Sequence, residues 1–245
     1  MSTLSAQAVL QTWEQAQGEH PLRRALALLR TAWPEADAQA WGAMPIGLRD
    51  AYLFQLQELL FGPELDTIAA CPSCHETLQT RFSTAAVQTP EAELPTDSTT
   101  ASLRVDSFEL DFRLPSSDDL LALVDTTAEA AADGLLERCV FQARRSGSPT
   151  PLRGLPPSVV ESVQQEMARR DPGADTTVAL TCPACGHGFE RFFDIGAYLW
   201  DELDDWAQRT LGEVHVLAGA YGWSEAQILG LSAARRGKYI ALVHA

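Results

Sequence analysis

The sequence predicts an α+β chain that is mainly helical, with small β-hairpins and a helical bundle toward its C-terminal end. Three observations predict it. Apolar residues recur at helical spacing through residues 1–70 and again from about residue 195. Two pairs of short alternating runs have the period of two that a half-buried strand needs: Leu103–Val105 with Phe108–Leu114, and Thr177–Thr181 with Phe189–Phe193. Prolines and Ser/Gly-rich stretches fall between these segments and punctuate them.

In chain order, Leu22, Leu26 and Leu29 share one helical face, and Tyr52, Leu56, Leu59 and Leu60 share another. Pro34 and Pro45 divide the segment into two or three helices, with breaks near Trp33–Pro34 and Ala43–Ile46. A Cys-Pro-Ser-Cys turn at 71–74 follows, and Thr77–Phe82 is a strand leaving it. Residues 88–102, rich in Pro, Ser, Thr and acid, form a loop. Pro115 ends the next hairpin. Ser116 or Ser117 then caps a helix whose first turn holds Asp118 and Asp119, where negative charge is favoured. Helices over about 118–125 and 127–143 are expected, then a proline-rich loop at Ser146–Pro157, then a helix near 158–170 stopped by Asp171-Pro-Gly.

Thr177–Thr181 runs into a second turn, Cys-Pro-Ala-Cys at 182–185, and Phe189–Phe193 returns from it. A helix of about 25 residues begins near Ile195, with Leu199, Leu203, Trp206, Leu211, Val214, Leu217 and Ala218 as its apolar stripe. Ser224 with Gln227 makes a capping box for the next helix, and Ser232 caps the last, which carries Tyr239, Leu242 and Val243. Four regions are expected: an N-terminal helical segment at 1–70, a first cysteine knuckle and hairpin at 71–87, an inserted hairpin-plus-helices region at 88–175, and a second knuckle with the C-terminal helices at 176–245.

Composition excludes several roles. The 245 residues carry 18 basic and 33 acidic side chains, a net of −15. Nucleic-acid binding without sequence preference needs lysine and arginine to displace counterions, and an anionic membrane surface needs the same. Neither is expected as a partner, nor is a small-molecule substrate. The N-terminal stretch lacks a basic region leading into an apolar core, and no apolar run approaches the length of a bilayer span. A cytoplasmic location is expected. Residues 85–137 hold 12 acidic and 2 basic side chains, which suits a solvated surface or a basic partner.

The cysteines carry the chemistry. Cys71, Cys74, Cys182 and Cys185 form two C-x-x-C pairs, and Cys139 stands alone. In a reducing compartment such pairs hold metal more often than they form disulfides. A proline inside each pair favours a tight turn, and two such knuckles supply a tetrahedral, four-cysteine structural zinc site. Gly186 follows the second pair as a positive-φ residue; the first has His75 there. The halves of this split zinc ribbon would be separated by 107 residues, which loop-closure entropy tolerates because its cost grows slowly with length. The competing reading is a redox dithiol, which accounts for one pair and not two.

Four thiolates leave zinc no open position for a substrate. The sequence contains no H-E-x-x-H, G-x-S-x-G, phosphate-binding glycine loop or dinucleotide fingerprint. No catalytic or cofactor-binding residue other than the zinc ligands is assigned, and the chain is expected not to be an enzyme.

The run from Cys182 to Val243 resembles the baseplate-hub assembly family of T-even-type contractile phages and its relatives in phage-tail-like contractile injection systems. The matching features are the Cys-Pro-x-Cys-Gly-His turn, Phe193–Ile195, Leu199–Leu203, Glu213–His215, Ala220–Glu225 with its Tyr-Gly-Trp-Ser junction, Ile228-Leu229, Leu231-Ser232 and Arg235-Arg236. Phe112–Pro115, Asp119–Leu121, Leu135–Cys139 and Leu53–Cys74 are similar as well. The resemblance implies a non-enzymatic chaperone or minor structural component of the baseplate hub, acting on hub or spike proteins and either released or incorporated in the particle. It points to Tyr221, Trp223, Arg235 and Arg236 as partner-binding residues; packing between the last helices is the alternative for the two aromatics. A zinc-ribbon nucleic-acid-binding regulator is the second functional class, discriminated by charge and by binding to a mixed-sequence duplex at low salt.

Overall fold

Ser5 accepts a hydrogen bond from the Ala8 amide and so starts the first helix, α1 (Ala6–Ala16), of the computed structural model, which describes residues 4–90 and 100–244. Pro21 occupies the first turn of α2 (Pro21–Ala32), where its missing N–H costs nothing. That proline places a helix break at residues 17–20, in addition to those expected from Pro34 and Pro45. Arg24 secures the break by donating from Nε to the Ala16 carbonyl at 3.3 Å and from Nη2 to the Gln17 carbonyl. These are C-terminal carbonyls that a helix leaves unpaired.

The chain divides into two compact units, Met1–Ala36 with Gly196–Ala245 and Asp37–Ile195. In the first, α1 and α2 join α8 (Ile195–Tyr221), α9 (Glu225–Leu229) and α10 (Ala233–Val243). Leu199, Leu203, Ala207 and Leu217 form the buried stripe of α8. The Trp13 indole donates to Asp204 Oδ1 at 2.9 Å, and the Arg24 guanidinium lies 4.7 Å from the centre of the Trp200 ring, a cation–π contact. The capping box at Ser224 and Gln227 and the cap at Ser232 are both present.

The second unit begins with α3 (Ala40–Ala43) and α4 (Ile46–Phe61), continues through hairpin β1 (Glu64–Ala70) and β2 (Thr77–Ser83), and ends with hairpin β7 (Thr177–Thr181) and β8 (Gly188–Phe192). Between the hairpins in sequence lie β3 (Thr100–Val105), β4 (Phe108–Arg113), α5 (Ser117–Leu121), α6 (Ala128–Cys139), β5 (Val140–Arg145), β6 (Ser148–Pro149) and α7 (Pro157–Arg170). All strand pairing among the described residues is antiparallel, and β3-β4-β5-β6 form one sheet. The α+β class therefore holds. Residues 91–99 of the loop expected at 88–102 lie outside the described residues, and Thr100, Ala101 and Ser102 belong to β3.

Two further local expectations change. Residues 64–70 pair with 77–83 as a strand instead of ending a helical segment. The helix expected to reach residue 143 stops at Cys139, because Val140 and the residues after it pair with the free edge of β4, with an irregularity between Asp111 and Phe112. Val140 and Ala143 then join Phe108, Leu110, Phe112, Val159 and Val163 in an apolar core between sheet and α7. Helical spacing in 127–143 is real, but a β-branched and an aromatic residue next to an open strand edge favour pairing.

Two carboxylates organise the helix starts of this unit. Asp119 is 1% exposed and closes a capping box with Ser116. It also takes hydrogen bonds from Arg113 Nη2 at 2.7 Å, Arg138 Nε at 2.9 Å and Ser116 Oγ at 2.8 Å. Burial raises the Asp119 pKa, but the Arg113 and Ser116 hydrogen bonds and the Arg113 charge outweigh it and hold the carboxyl well below the usual range. Asp171 lies 124 positions from Gly47 and accepts its amide at 3.0 Å, capping α4 from a distant part of the chain. A side chain at Gly47 would place Cβ 2.0 Å from Asp171 Oδ1, so this approach requires glycine.

Candidate metal centre

Each C-x-x-C turn is built by the same local hydrogen bonds. Cys71 N donates to Glu76 O and His75 N to Cys71 O, both at 2.9 Å; Cys182 N donates to His187 O and Gly186 N to Cys182 O, also at 2.9 Å. The residue after each second cysteine is left-handed, His75 at φ 62° and Gly186 at φ 73°. The histidine thus adopts the conformation its glycine counterpart takes without strain. The difference in sequence does not alter the turn.

The two turns meet. Cys71 Sγ lies 3.7 Å from Cys185 Sγ and Cys74 Sγ 3.6 Å from Cys182 Sγ, and all four sulfurs lie within 4.8 Å of one another. Thiolates about 2.3 Å from a tetrahedral zinc stand about 3.8 Å apart, so the cluster has the span such an ion requires. Cys71 and Cys182 are buried, and Cys74 and Cys185 are exposed. Leu78 and Phe189 pack beneath the buried pair. Below them Phe193 stacks on Phe54 at 6.1 Å and meets Phe82 edge-on at 5.5 Å.

Electrostatics favour a cation here. The Cys74 and Ser73 amides and the neighbouring thiols hold the Cys71 pKa down to about 6 against its burial. For Cys74 the Glu76 amide acts in the same sense, but Cys185, desolvation, Cys182 and Cys71 together push it up to about 12. One thiolate forms readily, and the next is opposed by the sulfur already charged. A divalent ion relieves that opposition. Neither His75 nor His187 belongs to the ligand-range group among the described residues; the His187 ring stacks near Phe189 instead, at 6.2 Å.

The other singled-out residues sit in the first unit. Tyr221 is 39% exposed and stacks on Trp223 at 4.8 Å, and Tyr239 meets Trp223 edge-on at 4.9 Å. Arg235 is exposed. Arg236, expected to face a partner beside it, is 4% exposed and bonds Glu213 at 2.6 Å and the Leu231 carbonyl at 2.9 Å. A buried guanidinium needs such partners, so Arg236 ties α10 to α8 and is corrected from surface to interior. The Glu213 contact, the Arg138 contact of Asp119 and the Asp171 contact carry no local sequence signal, because the partners lie 23, 19 and 124 positions apart.

Fold and site together define a small α+β protein whose cysteine hairpins are drawn to one point by a cluster able to hold a metal ion. Residues 28–199 match the family model described as T4 bacteriophage base plate protein, which takes in both cysteine pairs. The chain belongs to this base plate protein family. No curated protein and no solved structure gives a significant match to it.

Proposed function

We propose that the chain is a non-enzymatic assembly factor, either a chaperone or a minor structural component, of the baseplate hub of a contractile phage-tail-like particle. Its structural zinc is held by Cys71, Cys74, Cys182 and Cys185 as a split ribbon. The observation that carries this reading is the coincidence of two facts: the matched base plate region contains both C-x-x-C pairs, and their sulfurs converge within 4.8 Å. Zinc bound there acts as a closed structural clip. The protein's own part is to bring residues 64–83 and 177–192 together and keep them in register.

The partner is a hub or spike subunit. Tyr221 and Trp223 with Arg235 form the docking surface, an aromatic and arginine combination typical of binding hot spots, while Arg236 and Glu213 fix the helices that present it. The net charge of −15 weighs against the nucleic-acid-binding alternative.

The test is affinity purification of the tagged full chain from cells expressing the whole gene cluster, with identification of bound proteins and metal analysis of the purified chain. Hub or spike subunits and about one zinc per chain are expected. Tyr221→Ala with Trp223→Ala weakens capture about tenfold or more. Absence of particle proteins, or capture unaffected by both substitutions, overturns the partner assignment.

A further inference from the structure

We propose that these four cysteines are also a modification site for peroxide, forming two disulfides between the hairpins, Cys71 with Cys185 and Cys74 with Cys182, so that the clip stays closed under oxidation. The inference rests on the convergence of the cluster described above and concerns what its thiols do toward an oxidant. Two observations carry it. The sulfur contacts at 3.7 and 3.6 Å run from one hairpin to the other. Each joins one exposed cysteine to one buried cysteine, Cys185 to Cys71 and Cys74 to Cys182.

That pairing divides the chemistry in two. Peroxide reaches the exposed sulfurs of Cys74 and Cys185 first. A thiolate attacks one peroxide oxygen, the S–O bond forms, the O–O bond breaks and hydroxide leaves, giving a sulfenic acid. The buried partner across the hairpins then attacks that sulfur as thiolate. An S–S bond forms, the S–O bond breaks and a second hydroxide departs. Each disulfide delivers two electrons to one peroxide, so two peroxides consume the four thiolates, and any metal ion they held leaves as the dication.

The outcome differs from that of oxidation inside each C-x-x-C turn. Disulfides within a turn would leave the hairpins unconnected once the ion is gone. Bonds across the hairpins replace the ion with two covalent links, between positions 114 and 108 apart, and links closing long loops restrict the unfolded chain most. Cys139, 0% exposed in the core beneath the four-stranded sheet, is the internal control and stays reduced.

The experiment treats the purified full chain with hydrogen peroxide in the absence of denaturant, alkylates the remaining thiols and maps disulfides by mass spectrometry after digestion. Cys71–Cys185 and Cys74–Cys182 linkages are expected, with Cys139 alkylated. The oxidised chain should keep its melting midpoint in a chelator that lowers the midpoint of the reduced chain. Cys74→Ser should retain the Cys71–Cys185 link alone. Linkage within either turn, over-oxidation without disulfides, or no reaction overturns the proposal. Metal content before treatment separates it from the zinc reading: a metal-free chain that forms the cross-hairpin links overturns zinc and supports this inference, and a zinc-loaded chain that links within its turns does the reverse.

Discussion

The cysteine hairpins and the four-stranded sheet lie in the same unit and are held by different means. The sheet buries Phe108, Leu110 and Phe112 along one face of β4 and closes over Val159 and Val163 of α7. At its rim, Asp119 gathers Arg113 and Arg138. The hairpins are unequal: β1 and β2 bury Leu65, Ala69 and Leu78, whereas β7 and β8 have no buried residue and meet the first hairpin through a small cluster of Cys71, Leu78 and Cys182 with Phe189 against them. Two-stranded hairpins are marginal in water. Where apolar burial runs short, in β7 and β8, four sulfurs able to hold a metal ion converge, and on the function proposed above that ion supplies the cohesion, as in other small cores.

The comparison can be broken most directly by opening the clip. Chelation, or Cys182→Ser, should lower the stability of residues 64–83 and 177–192 by about 5 kcal/mol or more, the scale of structural zinc sites, while residues 108–113 keep their protection. Hydrogen exchange read by mass spectrometry checks this, and equal loss in both regions would show one cooperative block instead of two. On the sheet side, Asp119→Ala should cost about 3 kcal/mol by stranding two guanidinium groups, the cost moderated because Arg113 and Arg138 remain about two-fifths exposed, at 38% and 41%. Urea unfolding measures that loss, and metal affinity should not change.

Acid should sharpen the same contrast. The folded Asp119 carboxyl lies below its ordinary value of 3.8. Its contribution is therefore fully present above that value and is lost only as pH falls toward the folded one. Metal-binding thiolates compete with protons at higher pH. Titration from pH 7 toward pH 4 should release metal and loosen the hairpins while the sheet stays closed, followed by metal release alongside near-ultraviolet dichroism. The smallest effect is at the turn itself. His75→Gly should stabilise the chain by about 1 kcal/mol by removing left-handed strain, and Gly186→His should cost about as much; thermal melts of the two variants should move in opposite directions.

Much of the fold was legible in the sequence. The strand at Thr177–Thr181 occupies the expected span, and the long helix begins at Ile195 as its apolar stripe requires. The capping box at Ser224 and Gln227 and the cap at Ser232 were visible because a cap is a matter of three or four residues. The boundary at Cys139 was not, since spacing alone favours helix through 143 and the open edge of β4 decides otherwise. The adjacent Arg235 and Arg236 offer no local basis for telling them apart; Glu213 on α8 draws one of them inside.

Local patterns determined most element types and the two knuckles, because each depends on residues a few positions apart, and failed at residues 64–70 and 140–145, where strand pairing overrode helical spacing. That the two turns share one point was expected from their matching C-x-x-C form and is seen in the tertiary structure; the tertiary structure alone decided that Asp171 caps α4 and that each exposed cysteine sits against a buried one of the other hairpin. The physical reason is distance along the chain. Short-range geometry is encoded by neighbours, whereas contacts between remote segments follow from how the packed elements bring them together.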